Sequence, residues 1–212
     1  MMSFFFHEQQ YRSAETMNAI ANIKITICGA GALGANLAEN LVRMSFKSLK
    51  IIDFDRIEAH NISTQPYGKG DIGQLKANTL IKNLYRATAI RTEAVCKRLT
   101  ADNVHSLLKK SDIVIDAFDN SGSRKIVTQW AKSKRVACLH TGLASEYSEI
   151  IWNEKYRVPS AINDDVCDYP LARNLVMLTV AVATEVIVKF VSQQQKDNFT
   201  ITLTDLSIKP YV

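Results

Sequence analysis

Four cysteines occur in this chain, Cys28, Cys96, Cys138 and Cys167, but none forms a C-x-x-C pair, so the local signature of a structural zinc site is missing. Long apolar runs are lacking too: the best candidate for a membrane span, 175–191, is interrupted by Thr179, Thr184, Glu185 and Lys189 and reads as a buried helix. The apolar start, Met1 to Phe6, lacks the basic region and small-residue cleavage site of an export signal. Reduced thiols in a cytoplasmic protein, with no membrane as partner, are the resulting expectation. Basic residues are scattered, without aromatics gathered among them, which argues against a nucleic-acid partner. Repeats, low-complexity tracts and an interdomain linker are likewise missing.

What remains is an ordinary globular composition. The 212 residues are 47% hydrophobic and 22% charged, enough for one domain with a well-buried core. A net charge of +5 suits ATP or an acidic protein partner without choosing between them.

Apolar β-type runs alternate with helical stretches. Residues 23–28 (IKITIC) form a short β-branched run ending at a glycine. Leu33, Leu37, Leu41 and Met44 then share one helical face. A second strand is expected at 49–52, a loop at 61–71 around Pro66, Gly68 and Gly70, and a helix at 74–86. Strands follow at 90–95, 113–118 and 136–140, with helices at 101–110 and 123–134 between them. The run IVIDAF is almost continuously apolar, as a parallel strand buried on both faces should be. Beyond Gly142 a strand at 147–152, a long loop at 153–168, the longest helix at 171–191 and a last alternating strand at 199–206 are expected. The pattern predicts an α/β, Rossmann-like doubly wound fold, its mainly parallel sheet having helices on both faces. C-terminal antiparallel strands and a long C-terminal helix complete it. Residues 1–22 read as an N-terminal helical arm and 23–212 as a single nucleotide-binding domain.

The first chemical motif is G-A-G-A-L-G, with Gly29, Gly31 and Gly34, after a strand and opening a helix. Glycines there let the backbone approach a phosphate, and the helix N-terminus offers unpaired N–H groups. Asp53, ending the next strand, can accept from ribose hydroxyls or cap a turn. Both features fit NAD as well as ATP. Further motifs separate the two ligands: Asp53-Phe54-Asp55, then Asn61-Ile62-Ser63-Thr64-Gln65, then Asp71-Ile72-Gly73-Gln74-Leu75-Lys76, then Asp116-Ala117-Phe118-Asp119-Asn120 with Arg124 a turn later.

In this order and spacing the sequence resembles the ThiF/MoeB/HesA family of ubiquitin-activating-enzyme-like adenylyltransferases, over roughly residues 23–191. The resemblance implies ATP-dependent activation of the C-terminal carboxylate of a ubiquitin-like or sulfur-carrier protein, through that partner's flexible tail, by a homodimer. It implies that Lys76 reaches the ATP phosphates as a point charge, and that Asp119 holds a Mg²⁺ bridging them. Asn61, Gln65, Asn120 and, at lower rank, Asp55 would shape the nucleotide pocket. Cys167 stands roughly where family members carry a reactive cysteine, but its aspartate neighbours disfavour a thiolate, so nucleophile and passive residue both stay open.

One departure stands out. The family arginine that contacts phosphate is Thr64 here, which offers neither charge nor donor fork. Arg12, in a segment like the one that supplies a second family arginine, and Arg56 and Lys69 are the candidate replacements. The departure keeps a second reading alive, a relative that binds nucleotide or a partner's tail without turnover. An NAD-dependent oxidoreductase explains the glycines and Asp53 but not Lys76 or the 119–124 cluster. His140, at the end of a strand near the expected crevice, reads first as a hydrogen-bonded structural residue. Trp152, Tyr156 and Tyr169 read as packing.

Overall fold

A computed structural model describes residues 3–160 and 170–211. Helices α1 (Phe6–Tyr11) and α2 (Ala14–Asn22) precede strand β1 (Lys24–Cys28). Helix α3 (Ala32–Arg43), strand β2 (Ser48–Ile52), helix α4 (Lys76–Thr88) and strand β3 (Glu93–Val95) follow. Next come helix α5 (Val104–Leu108), strand β4 (Ile113–Asp116), helix α6 (Ser121–Lys134) and strand β5 (Ala137–Ala144). Strand β6 (Tyr147–Trp152), helix α7 (Arg173–Gln193), and strands β7 (Phe199–Thr202) and β8 (Ser207–Pro210) end the described chain.

The strands form one eight-stranded sheet in the order β3-β2-β1-β4-β5-β6-β7-β8. Neighbours from β3 to β5 pair in parallel, and those from β5 to β8 antiparallel. The chain moves outward from β1 in both directions, so β1 and β4 flank the switch point where such sheets bind ligands.

Continuous apolar runs fit this arrangement because successive side chains point to opposite faces and both faces are covered. Ile25, Ile27, Ile51, Ile113, Ile115 and Leu139 face one core with residues of α3, α4 and α7. Their strand neighbours Cys28, Ile52, Val114 and Cys138 face a smaller core with Leu108 of α5 and Val127 and Trp130 of α6. Burial pushes the thiols of Cys28 and Cys138 well up, as befits core residues. Cys96 is half-buried beyond β3.

Two expectations need correction. The stretch 199–206 is not one strand: residues 203–206 turn, with Leu206 at φ 51°, and β8 runs back beside β7. The turn lacks Gly, Pro and Asn, and Asp205, whose Oδ1 accepts from the Ser207 amide at 3.2 Å, is its one local turn signal. Nor is an apolar stretch of membrane-spanning length missing, because α7, at 21 residues, is long and apolar enough by length and composition to cross a membrane. Half of its apolar window is buried within this chain, against α2, α3 and β6. Its Thr179 and Thr184 hydroxyls donate back to the Leu175 and Val180 carbonyls, which satisfies them inside the core.

Candidate functional site

The glycine loop is shaped by backbone crowding at the end of β1. Gly29 has φ 101°, and a Cβ there would stand 2.9 Å from the Ala117 carbonyl oxygen. At Gly34 a Cβ would lie 2.0 Å from the Gly29 carbonyl oxygen, so only glycine lets α3 start this close to the strand. Gly31 is different: no atom would meet its Cβ within 4 Å, so its missing side chain leaves open space. It is also the N-cap of α3 and supplies no side-chain cap. The first amides of this 12-residue helix have no side-chain cap, and the dipole at that end favours an anion.

Asp53 organises this loop. Its Oδ2 accepts from the Ala30 amide at 2.6 Å and its Oδ1 from the Asp55 amide at 2.7 Å. Burial raises its pKa, while the Ala30 N–H and the charge of Lys76 oppose the rise. Asp55 then turns back to α4. Its carbonyl accepts from the Lys76 amide at 2.9 Å, and its carboxylate lies 3.4 Å from Lys76 Nζ. Tyr67 closes the circuit, donating to the Ala30 carbonyl at 2.9 Å, with the Lys76 carbonyl 3.5 Å from the same hydroxyl. Ala30, Asp53, Asp55, Tyr67 and Lys76, distant in sequence, thus meet in one hydrogen-bonded ring. Tyr67 was not singled out by sequence, because a lone tyrosine in a loop carries no periodic signal.

The segment 59–65 is fixed beside the loop. Asn61 is buried, and its Oδ1 accepts from the Glu58 amide at 2.9 Å, a turn-capping role. Asn36 of α3 donates to the Thr64 carbonyl at 2.8 Å and to the Ala32 carbonyl at 2.6 Å. Gln65 is 8% exposed, and its Oε1 is buried without a donor among the described residues.

At the end of β4, Asn120 is the N-cap of α6, its Oδ1 accepting from the Ser123 amide at 2.8 Å. Asp119 is therefore not the cap. It stays exposed beside the switch point, touched by the Asn120 amide at 3.4 Å. Below it lies a buried charge network that sequence reading did not assemble. His140, fully buried, sits between Asp116 Oδ2 and Asn153 Oδ1, each at 2.8 Å, and stacks on Tyr156 at 3.7 Å. Arg124 donates to the Tyr156 hydroxyl at 3.0 Å and to the Thr141 carbonyl at 2.8 Å, with Asp116 Oδ2 3.9 Å away. Burial alone would raise the Asp116 pKa, but Arg124 and His140 overcome it and hold the carboxyl below the usual range. Burial pushes Tyr156 up to about 12. Both ring nitrogens of His140 are thus engaged inside the core.

Other predicted residues fall elsewhere. Arg12 makes two bonds to Glu185 of α7, at 2.8 and 3.1 Å, and one to Glu8 at 2.7 Å, all within its own chain. None of these contacts brings it to the glycine loop. Arg56 is turned to the Gly73 carbonyl at 2.7 Å, and Lys69 is exposed. Cys167 and Tyr169 lie outside the described residues. Among the described residues no group of three or more His, Cys, Asp or Glu could hold a metal ion. A single exposed carboxylate such as Asp119 still suits a magnesium ion that takes most of its oxygens from phosphate and water.

Fold and site define the class: a doubly wound α/β domain with a glycine loop, a helix N-terminus and a lysine linked through Asp53 and Asp55 at the end of β1. The chain belongs to the ThiF family, whose model matches residues 7–206. It is 31% identical over 119 residues to the sulfur carrier protein adenylyltransferase of Thermus thermophilus, covering 55% of this chain and 44% of that protein. It is 31% identical over 128 residues to the sulfur carrier protein ThiS adenylyltransferase of Bacillus subtilis, covering 58% and 38%. The match thus spans less than half the length of either relative. Among solved structures, E. coli MccB with ATP superposes with a TM-score of 0.81 at 15% identity, over 97% of this chain and 69% of that one. That likeness is one of fold.

Proposed function

We propose that this protein is an ATP-dependent adenylyltransferase acting on the C-terminal carboxylate of a ubiquitin-like or sulfur-carrier protein. The observation that carries the reading is the ring joining Ala30, Asp53, Asp55, Tyr67 and Lys76, which holds a cation beside uncapped helix amides in a chain of this family. Named relatives that adenylate sulfur carriers support the substrate class.

The chain's residues divide the work. Amides at the start of α3 and the Lys76 ammonium bind the phosphates and neutralise charge that shifts onto the leaving pyrophosphate. Asp119, with Asn120 beside it, would hold Mg²⁺, which when bound supplies further charge neutralisation on phosphate oxygens. In the reaction a carboxylate oxygen of the partner's flexible tail forms a bond to the α-phosphorus. The bond to the pyrophosphate oxygen breaks, and pyrophosphate leaves with the electron pair. The product is an acyl-adenylate, whose acyl group passes to Cys167 or directly to a sulfur donor as its bond to AMP breaks and AMP leaves. A homodimer would form the working unit, with neither nucleic acid nor membrane as partner.

ATP–pyrophosphate exchange tests this, with Mg²⁺ and small Gly-Gly-tailed proteins, comparing the wild type with Asp119→Ala. Exchange that depends on one carrier and vanishes in the variant is the expected result. Thr64 favours a second reading, nucleotide binding without turnover. Tight ATP binding with no exchange for any carrier would select it.

A further inference from the structure

The nucleotide site is short of positive charge. A triphosphate carries several negative charges, yet Lys76, the cation of the ring, already shares its charge with Asp55 at 3.4 Å. Thr64 contributes none. Arg12 is committed to Glu185 and Glu8, and Arg56 to the Gly73 carbonyl.

A different arginine stands against the 59–65 segment. Arg173 is the first residue of α7 and is exposed, and its Nη1 donates to the Ser63 carbonyl at 3.3 Å. No carboxylate pairs with it among the described residues, so most of its donor fork is unengaged there. Ser63 adjoins Thr64, whose carbonyl is held by Asn36, which also holds Ala32 at the start of α3. A continuous path of contacts therefore runs from the glycine loop through Asn36 and Thr64 to the Arg173 guanidinium. The same segment carries the unpartnered, buried Gln65 Oε1, an acceptor suited to a hydroxyl of a ligand or to water.

We infer that Arg173 is the second phosphate-binding cation of this site, delivered from α7 to the edge where Thr64 supplies no charge. The inference rests on the nucleotide reading above. An exposed guanidinium held by one carbonyl bond can exchange that bond for a charge-assisted, bidentate one to phosphate at little cost. Because it addresses the phosphate chain, it separates ATP from AMP.

Calorimetric titration with Mg-ATP and with AMP, on the wild type, Arg173→Ala and Arg173→Lys, tests it. Loss of a charge-assisted contact should weaken ATP binding by about 10–100-fold in Arg173→Ala. AMP binding should hold within about threefold, and Arg173→Lys should recover part of the ATP affinity, since it keeps the charge but not the fork. Unchanged ATP affinity in Arg173→Ala would overturn the assignment while leaving the nucleotide site standing. Equal losses for ATP and AMP would also overturn it, reducing Arg173 to a brace for segment 59–65. A wild type that binds neither ligand would overturn the nucleotide reading, and this inference with it.

Discussion

Gly31 and Gly34 stand three residues apart in one motif, yet the structure requires opposite outcomes when each becomes alanine. At Gly34 the new methyl would lie 2.0 Å from the Gly29 carbonyl oxygen and 2.9 Å from its carbon, both backbone atoms. Neither can rotate away, so α3 must move off the end of β1. Overpacking of this kind costs about 1–3 kcal/mol or more, and the helical preference of alanine returns only about 1 kcal/mol. With a backbone collision at the severe end of that range, a net loss of about 2 kcal/mol is expected. For a chain of this size that lowers the melting temperature by about 4–8 °C. At Gly31 nothing lies within 4 Å of the methyl and φ is −80°, so stability should stay within about 0.5 kcal/mol of the wild type. The methyl would instead project into the open space at the N-terminus of α3. Mg-ATP at a hundred times its dissociation constant should stabilise the wild type by about 2.7 kcal/mol, a rise of about 5–10 °C. That rise should disappear in Gly31→Ala. Thermal denaturation with and without Mg-ATP reads both effects. A Gly34→Ala protein melting within about 1 °C of the wild type, or a Gly31→Ala protein keeping the full ligand shift, would refute the reasoning.

Three further outcomes are expected. Tyr67→Phe removes the donor to the Ala30 carbonyl and should cost about 1 kcal/mol in urea denaturation, with weaker ATP binding; identical midpoints would show that the bond contributes nothing. Carboxyl NMR should place the Asp116 midpoint below, and the Asp53 midpoint above, the ordinary aspartate value of about 3.9. Asp116 then stabilises the fold fully above that ordinary value, and its contribution drains away as pH falls through its lower folded midpoint. Asp53 has the reverse sign: its penalty is present above its raised midpoint and is relieved as pH falls through it, and a reversed order of midpoints would contradict both assignments. Arg12→Met should release α1 from Glu185, speeding amide hydrogen exchange in α1 while α3 keeps its protection; unchanged exchange in α1 would count against the clamp.

Much of this protein was fixed by sequence alone. Local chemistry determined the glycine loop, because only glycine meets the backbone demands at 29 and 34, and it determined the parallel strands, because runs such as 113–115 (IVI) are apolar on both faces. Ordered motifs identified the family and brought Lys76 and Asp119 forward as candidates. Tertiary structure alone decided the rest. The β7–β8 hairpin turns at residues whose one local signal is Asp205, and its existence depends on pairing along β6. Asp53 was legible as a site carboxylate, but only the fold shows both oxygens taken by the amides of Ala30 and Asp55. His140 could be placed at a strand end, whereas its burial between Asp116 and Asn153 required β4, β5 and β6 to be side by side. Arg12 and Arg173 make the same point from opposite sides. Resemblance to the family's N-terminal segment favoured Arg12, which packing gives to Glu185. Arg173, 110 residues from Ser63 in the chain, is carried to the Ser63 carbonyl by α7. Hydrophobic period and backbone sterics are local and can be read from neighbours in sequence. The partner of a long charged side chain is set by which elements pack together, and that exists only once the core has closed.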